Sequence, residues 1–95
     1  MRIVWAAAAR EDMTSLRAYI ARDNPGAAGR IALCVIEAVE TVLPAHPAAG
    51  RPGRVPGTRE LVVTGTPFIV PYRLRGGVVE VLRVYHGAQR WPEVF

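Results

Sequence analysis

Lysine is absent from this 95-residue chain, and all twelve of its basic residues are arginine. A single cysteine excludes a disulfide framework or a cysteine cluster for metal. The two histidines, His46 and His86, are far apart and with Cys34 offer no metal-ligand spacing. No apolar run approaches the roughly 20 residues of a membrane-spanning helix, and the stretch from Leu33 to Ile36 is far shorter. The N-terminus lacks a basic start followed by a long apolar segment, so no secretory signal is expected and the reading is cytoplasmic. Neither a Gly-x-Gly-x-x-Gly nor a Walker-type loop occurs, so no nucleotide cofactor is expected. The glycines at 50–57 also lack the preceding strand and following helix of a phosphate cradle.

What is present bounds the fold. Half the residues are apolar, which argues against a disordered chain. A chain this short buries only about 60–65% of its unfolded surface, so one domain spanning residues 1–95 with one modest core is expected. Residues 1–50 balance five arginines against five acids. Residues 51–95 set seven arginines against Glu60, Glu80 and Glu93, so the whole surplus of +4 lies there. A segregated basic half suggests an anionic partner, either nucleic acid or an acidic protein segment.

The chain reads as strand, helix, helix and three strands. Residues 2–5 are a short β-prone start. Ala9, Met13, Leu16 and Ile20 fall on one face of a helix over residues 6–21. Asn24-Pro25-Gly26 breaks it, because proline disfavours helix at the residue before it. Residues 26–43 form the second helix, with Ile31, Val35, Ala38 and Val42 as its apolar stripe, widened by Ala28, Cys34 and Val39. A connection this short makes the two helices antiparallel neighbours. Residues 44–58, rich in proline and glycine, read as loop.

Three strands then follow, at 59–63, 68–75 and 78–85. In the second, Phe68, Val70, Tyr72 and Leu74 alternate with Ile69, Pro71, Arg73 and Arg75. Gly76-Gly77 marks a two-residue hairpin. In the third, Leu82 and Val84 share one face and Val79, Val81, Arg83 and Tyr85 the other. Pro71 lies in a strand that should be central, where it cannot donate to the ladder, so a bulge or unpaired position is expected beside it. Two helices cover one face of such a sheet. With Phe68, Val70, Tyr72 and Leu74 against the helices, Arg73, Arg75, Arg83 and Tyr85 line the open face, flanked by Arg51 and Arg54. Guanidinium groups suit phosphate or carboxylate there. A register slip of one residue would reverse this assignment.

The ordered set of elements resembles the RelE/ParE toxin superfamily. It is carried by Leu16 to Ile20 with Asn24-Pro25, by Gly50-Arg51-Pro52-Gly53-Arg54, and by Gly57-Thr58-Arg59-Glu60-Leu61. Pro71-Tyr72-Arg73 and the run Leu82-Arg83-Val84-Tyr85-His86-Gly87-Ala88-Gln89-Arg90-Trp91 complete it. The resemblance implies an α+β, two-layer fold with the helical hairpin on one face of a mostly antiparallel sheet. It also implies a growth-arresting toxin of a bacterial type II toxin–antitoxin module, neutralised by a cognate antitoxin. ParE-like members inhibit DNA gyrase by direct contact and need no catalytic residue. The long helices, Pro47-Ala48-Ala49-Gly50-Arg51 and Tyr72-Arg73 lie closer to that branch, so gyrase inhibition is the expected reading. Gln89 and Arg90 stand where the family commonly has an acid past the histidine.

The alternative is a RelE-like, ribosome-dependent messenger-RNA endoribonuclease. His86 would then carry the proton beside Tyr85, with Arg73 and Arg83 on the phosphate. Well-known RelE members use lysines where this chain has only arginine, which cannot serve as a general base. On either reading the basic surface of Arg51, Arg54, Arg59, Arg73, Arg75, Arg83 and Arg90 faces target or antitoxin.

Several residues also have ordinary structural readings. Cys34 reads as a buried small hydrophobe, Trp5 and Tyr72 as core, and His46 as a loop residue. Glu11 and Asp12 fit a solvated first helical turn. Arg73 and Arg83 have Glu60 and Glu80 within reach as ion-pair partners. Trp91 and Phe95 either pack on the sheet or are covered by the antitoxin.

Overall fold

The computed structural model describes residues 1–95. Strand β1 (Arg2–Trp5) leads into helix α1 (Ala7–Ala21) and helix α2 (Pro25–Val42). The strands β2 (Arg51–Pro52), β3 (Arg59–Val62), β4 (Phe68–Arg75), β5 (Val78–Val81) and β6 (Tyr85–His86) follow. The sheet runs β1-β5-β4-β3-β2, with β6 also on β4. Only the β1–β5 pair is parallel. The α+β, two-layer reading therefore holds, with short β2 added inside the segment read as loop.

Local chemistry explains the boundaries. The Asn24 side chain accepts the Ala27 N–H at 3.1 Å and Pro25 opens α2, where its missing N–H costs nothing. Gly76 and Gly77 have φ of 59° and 75°, as the tight β4–β5 turn requires. Both helices pack on one face of the sheet. Val35, Val39 and Leu43 of the α2 segment and Ala9 and Leu16 of α1 meet Val70, Tyr72, Val79 and Val81. Burying each such aliphatic side chain contributes roughly 1.5–3 kcal/mol. Trp5 is half-buried against this core and donates its indole N–H to Glu40 Oε1 at 2.8 Å.

Several expectations need correction. Cys34 is exposed, because α2 buries Ala28, Ala32, Val35 and Val39, and Cys34 falls off that stripe. Leu74 lies beyond the reach of the helices and is 47% exposed.

The last strand is not continuous. Tyr72 pairs with Val81 and Ile69 with Tyr85, so the three residues 82–84 lie opposite the two residues 70 and 71. This is a bulge opposite Pro71, the place where a missing N–H leaves the ladder incomplete. The Pro71 carbonyl still accepts the Leu82 N–H at 2.9 Å. The extra residue changes the side-chain alternation, so Val79, Val81 and Val84 all enter the core while Tyr85 joins Ile69 on the open face.

Candidate functional site

The expected arginine surface is mostly neutralised from within. Glu60, on β3 opposite Pro71, is only 2% exposed. Arg51 donates Nε and Nη2 to its Oε1 at 3.1 and 3.0 Å. Arg54 donates its backbone N–H and Nε to Oε2 at 2.8 and 3.1 Å, and Nη2 to Oε1 at 3.2 Å. Burial alone would raise the Glu60 pKa, but the hydrogen bonds from Arg54 and Arg51 and the Arg54 charge outweigh it and hold the carboxyl below its ordinary value. Arg73 pairs with Glu80 across β4 and β5 at 2.5 Å. Arg59 donates to the Gly50 carbonyl at 2.7 Å and to Ala48 at 3.4 Å.

Arg83 reaches back 71 residues to α1. Its Nε and Nη2 meet the two Asp12 oxygens at 2.7 and 2.9 Å. Asp12 Oδ2 also accepts the Val84 N–H at 2.9 Å, so one carboxylate fills the ladder position lost at the bulge. Asp12 is thus no solvated first-turn acid. Its hydrogen bond raises the Arg83 pKa, against the cost of burial. Arg83 also lies over the Tyr85 ring, 4.7 Å from its centroid. Asp12→Ala is expected to lower stability by about 2 kcal/mol, since it leaves a backbone donor and a guanidinium unpartnered. Urea denaturation of the variant checks this. Of the seven arginines expected to form the surface, only Arg75 and Arg90 are exposed with no internal partner.

The four residues of the endoribonuclease alternative are not gathered in one place. Tyr85 pairs with Ile69 on the open face, whereas His86 pairs with Phe68, whose side chain belongs to the helix-side core. Adjacent residues of a strand point to opposite faces. His86 accordingly lines a groove with Asp12, Ser15, Tyr19 and Gln89, edge-on to Phe68 at 5.8 Å. Its Nδ1 accepts the Ala88 N–H at 3.1 Å. Tyr85 is 4% exposed, and burial raises its pKa, with Arg83 opposing. A phenol displaced upward in this way is a poor proton carrier at neutral pH.

Two further arrangements shape the site, and the first of them escapes the sequence reading. The first is the anchoring of residues 44–58: the Tyr72 hydroxyl donates to the Pro47 carbonyl at 2.7 Å and accepts the Gly50 N–H at 2.9 Å. Burial raises the Tyr72 pKa and keeps this hydroxyl protonated. The second is the open face itself, where Trp91 and Phe95 fold onto Tyr85 with ring centroids 4.8 and 6.2 Å away. The Arg54 guanidinium lies 3.9 Å from the Trp91 centroid. The open face around Arg54 and Tyr85 is therefore covered by the chain's own aromatics. In the chain by itself this pair packs on the sheet.

Comparison with known proteins agrees with this fold. Residues 3–91 match the family model of the ParE toxin of the type II toxin–antitoxin system parDE. Y4kP of Sinorhizobium fredii, a protein named as a toxin, is 44% identical over 93 residues, covering 98% of this chain and 95% of that one. Among solved structures, the chromosomal ParDE toxin–antitoxin system of P. aeruginosa superposes with a TM-score of 0.84 at 27% identity, over 90% of this chain and 95% of its counterpart. The RelBE2 toxin–antitoxin complex of Mycobacterium tuberculosis gives 0.67 at 28% identity, with the same coverage. The chain belongs to the ParE toxin family of type II toxin–antitoxin systems, within the RelE/ParE superfamily.

Proposed function

We propose that this protein arrests growth by binding DNA gyrase directly and that a cognate antitoxin neutralises it. The observation that carries the reading is the separation of His86 from Tyr85 and Arg73 on opposite faces of the sheet. Cleaving RNA by attack of a ribose hydroxyl needs a proton carrier and cationic groups converging on one phosphate. Here Arg73 and Arg83 are engaged by Glu80 and Asp12. A protein-binding inhibitor needs no such convergence. The closer superposition on a ParDE system than on RelBE2 supports the same side. Both of those structures are toxin–antitoxin systems, which supports an antitoxin partner here.

His86→Ala is expected to leave growth arrest within about twofold of the parent when the gene is induced alone, because no proton transfer depends on it. The variant should also induce the DNA-damage response with messenger RNA intact. Loss of arrest in a variant that keeps its fold and its antitoxin binding, together with cut messenger RNA in the parent, would transfer the reading to the endoribonuclease.

A further inference from the structure

The two edges of the sheet are finished differently. The β2 edge is two residues long and consists of Arg51 and Pro52, a charge and a missing N–H that both discourage further pairing. The β1 edge is Arg2-Ile3-Val4-Trp5, in unbroken register with β5, without proline and with no strand beyond it. The Ala6 N–H donates to the Val81 carbonyl at 2.9 Å, so alternation along β1 turns the main-chain groups of Ile3 and Trp5 towards the free edge. Beside that edge the surface is apolar. Ile3, Val4, Trp5, Met13 and Ile36 line a groove of about 560 Å³ together with Arg10, and Val4, Leu33 and Ile36 are exposed. Charge is laid out along the adjoining side of α2. Arg30, Leu33, Ile36, Glu37 and Glu40 are all exposed and fall outside the stripe that α2 buries through Ala28, Ala32, Val35 and Val39. The cation stands towards one end, the two acids towards the other, and the apolar pair between them. None of the three charges has an ion-pair partner within the chain.

We propose that the β1 edge and the outer side of α2 form a self-association surface, and that its occupant is a second copy of this chain. Two copies related by a two-fold axis present the same patch to each other. They pair β1 with β1 antiparallel, with Val4 at the axis and Ile3 opposite Trp5, and lay α2 against α2 in opposite directions. That arrangement sets Arg30 of each copy against Glu37 or Glu40 of the other and covers Leu33 and Ile36 between the two sets of charges. A face with its cation at one end and its acids at the other attracts an antiparallel copy and repels a parallel one. Pairing of this kind also closes the one edge that the chain leaves unguarded, and so stops open-ended strand addition. The inference does not depend on whether gyrase is the target, nor on what the open face of the sheet binds.

The test is sedimentation equilibrium of the full chain, freed of antitoxin, from low micromolar to several hundred micromolar concentration. Monomer and dimer should exchange across that range. Ile36→Glu should weaken the dimer at least about tenfold, since it places a charge at the apolar centre of the contact. Charge reversal separates this surface from any other. Arg30→Glu and Glu37→Arg should each weaken self-association severalfold, because each sets like charges against one another. An equimolar mixture of the two variants should nevertheless form a heterodimer tighter than either homodimer, since one chain then offers only acids where the other offers added cation. All three positions are exposed on a helix, so the variants should keep their fold, which circular dichroism checks. A chain that stays monomeric at the highest concentration overturns the proposal. So does a dimer indifferent to the substitutions, or a mixture no tighter than the homodimers. An Ile36→Glu chain that dimerises like the parent but has lost its cognate antitoxin also overturns it, and gives the face to that partner instead.

Discussion

Glu60→Gln is expected to destabilise the protein by about 2–4 kcal/mol, with a fall in Tm of at least about 8 °C. The carboxylate is nearly inaccessible and accepts five hydrogen bonds from Arg51 and Arg54. An amide presents only one oxygen and turns an N–H₂ group towards guanidinium. The estimate stays below that for a fully buried pair because the two arginine side chains are 51% and 44% exposed and can return to water. The pH dependence carries a sign. Glu60 has a lower pKa folded than unfolded, so its contribution is fully present above the ordinary carboxyl value of 4.5 and is lost as pH falls through the folded value. Thermal melts between pH 7 and pH 3 should therefore show an acid-side loss in the parent that is smaller in Glu60→Gln. Parallel curves would contradict this role.

Gly50→Ala is expected to cost about 3 kcal/mol or more, through crowding rather than lost charge. A methyl group there would lie 2.6 Å from the Tyr72 ring, 2.7 Å from its hydroxyl and 2.9 Å from the Glu60 carbonyl. The ring cannot retreat, because Tyr72 is fully buried and its hydroxyl is fixed on both sides. Displacing Gly50 would also pull on the carbonyl that Arg59 holds. The substitution should loosen residues 44–58 before the rest of the chain, so amide exchange of that segment should rise most. Gly29→Ala is the control. An added methyl meets nothing within 4 Å there, and replacing a mid-helix glycine should stabilise the protein by roughly 0.5–1 kcal/mol.

Much of the fold was legible because its periodicities are strong. The apolar spacing of both helices, the alternation from Phe68 to Tyr72 and the paired glycines at 76–77 each have one local solution, and the structure adopts it. Pro71 was informative for the same reason: a residue without an N–H in a central strand forces an irregularity, and the bulge lies opposite it. The consequences of that bulge were not legible, since alternation assumes an unbroken strand. One inserted residue moved Val84 into the core, turned Tyr85 to the open face and put His86 on the helix side. Asp12 left a signal that a solvated reading overlooks. It falls three residues after Ala9 and four before Leu16, both buried on α1, so it borders the inward stripe. Its partner Arg83 lies 71 residues away, and no local pattern announces such a pair.

The basic half of the chain shows why counting charges misjudges a surface. Seven arginines against three acids suggest an open cationic face, but three acids engage four of those arginines. Glu60 engages two arginines, Asp12 lies outside the basic half altogether, and Arg59 turns to backbone carbonyls. What remains for a partner is a face of stacked rings with few free cations. Such a face fits recognition of protein better than recognition of a phosphate backbone.

The most direct measurement is plasmid supercoiling by purified DNA gyrase, titrated with this protein after its binding to the cognate antitoxin has been shown. Direct binding to gyrase predicts loss of supercoiling or trapped cleaved DNA, restored activity on adding antitoxin, and equal potency for His86→Ala. Full supercoiling at saturating, antitoxin-competent protein, with messenger RNA cut on translating ribosomes in a His86-dependent manner, would contradict it.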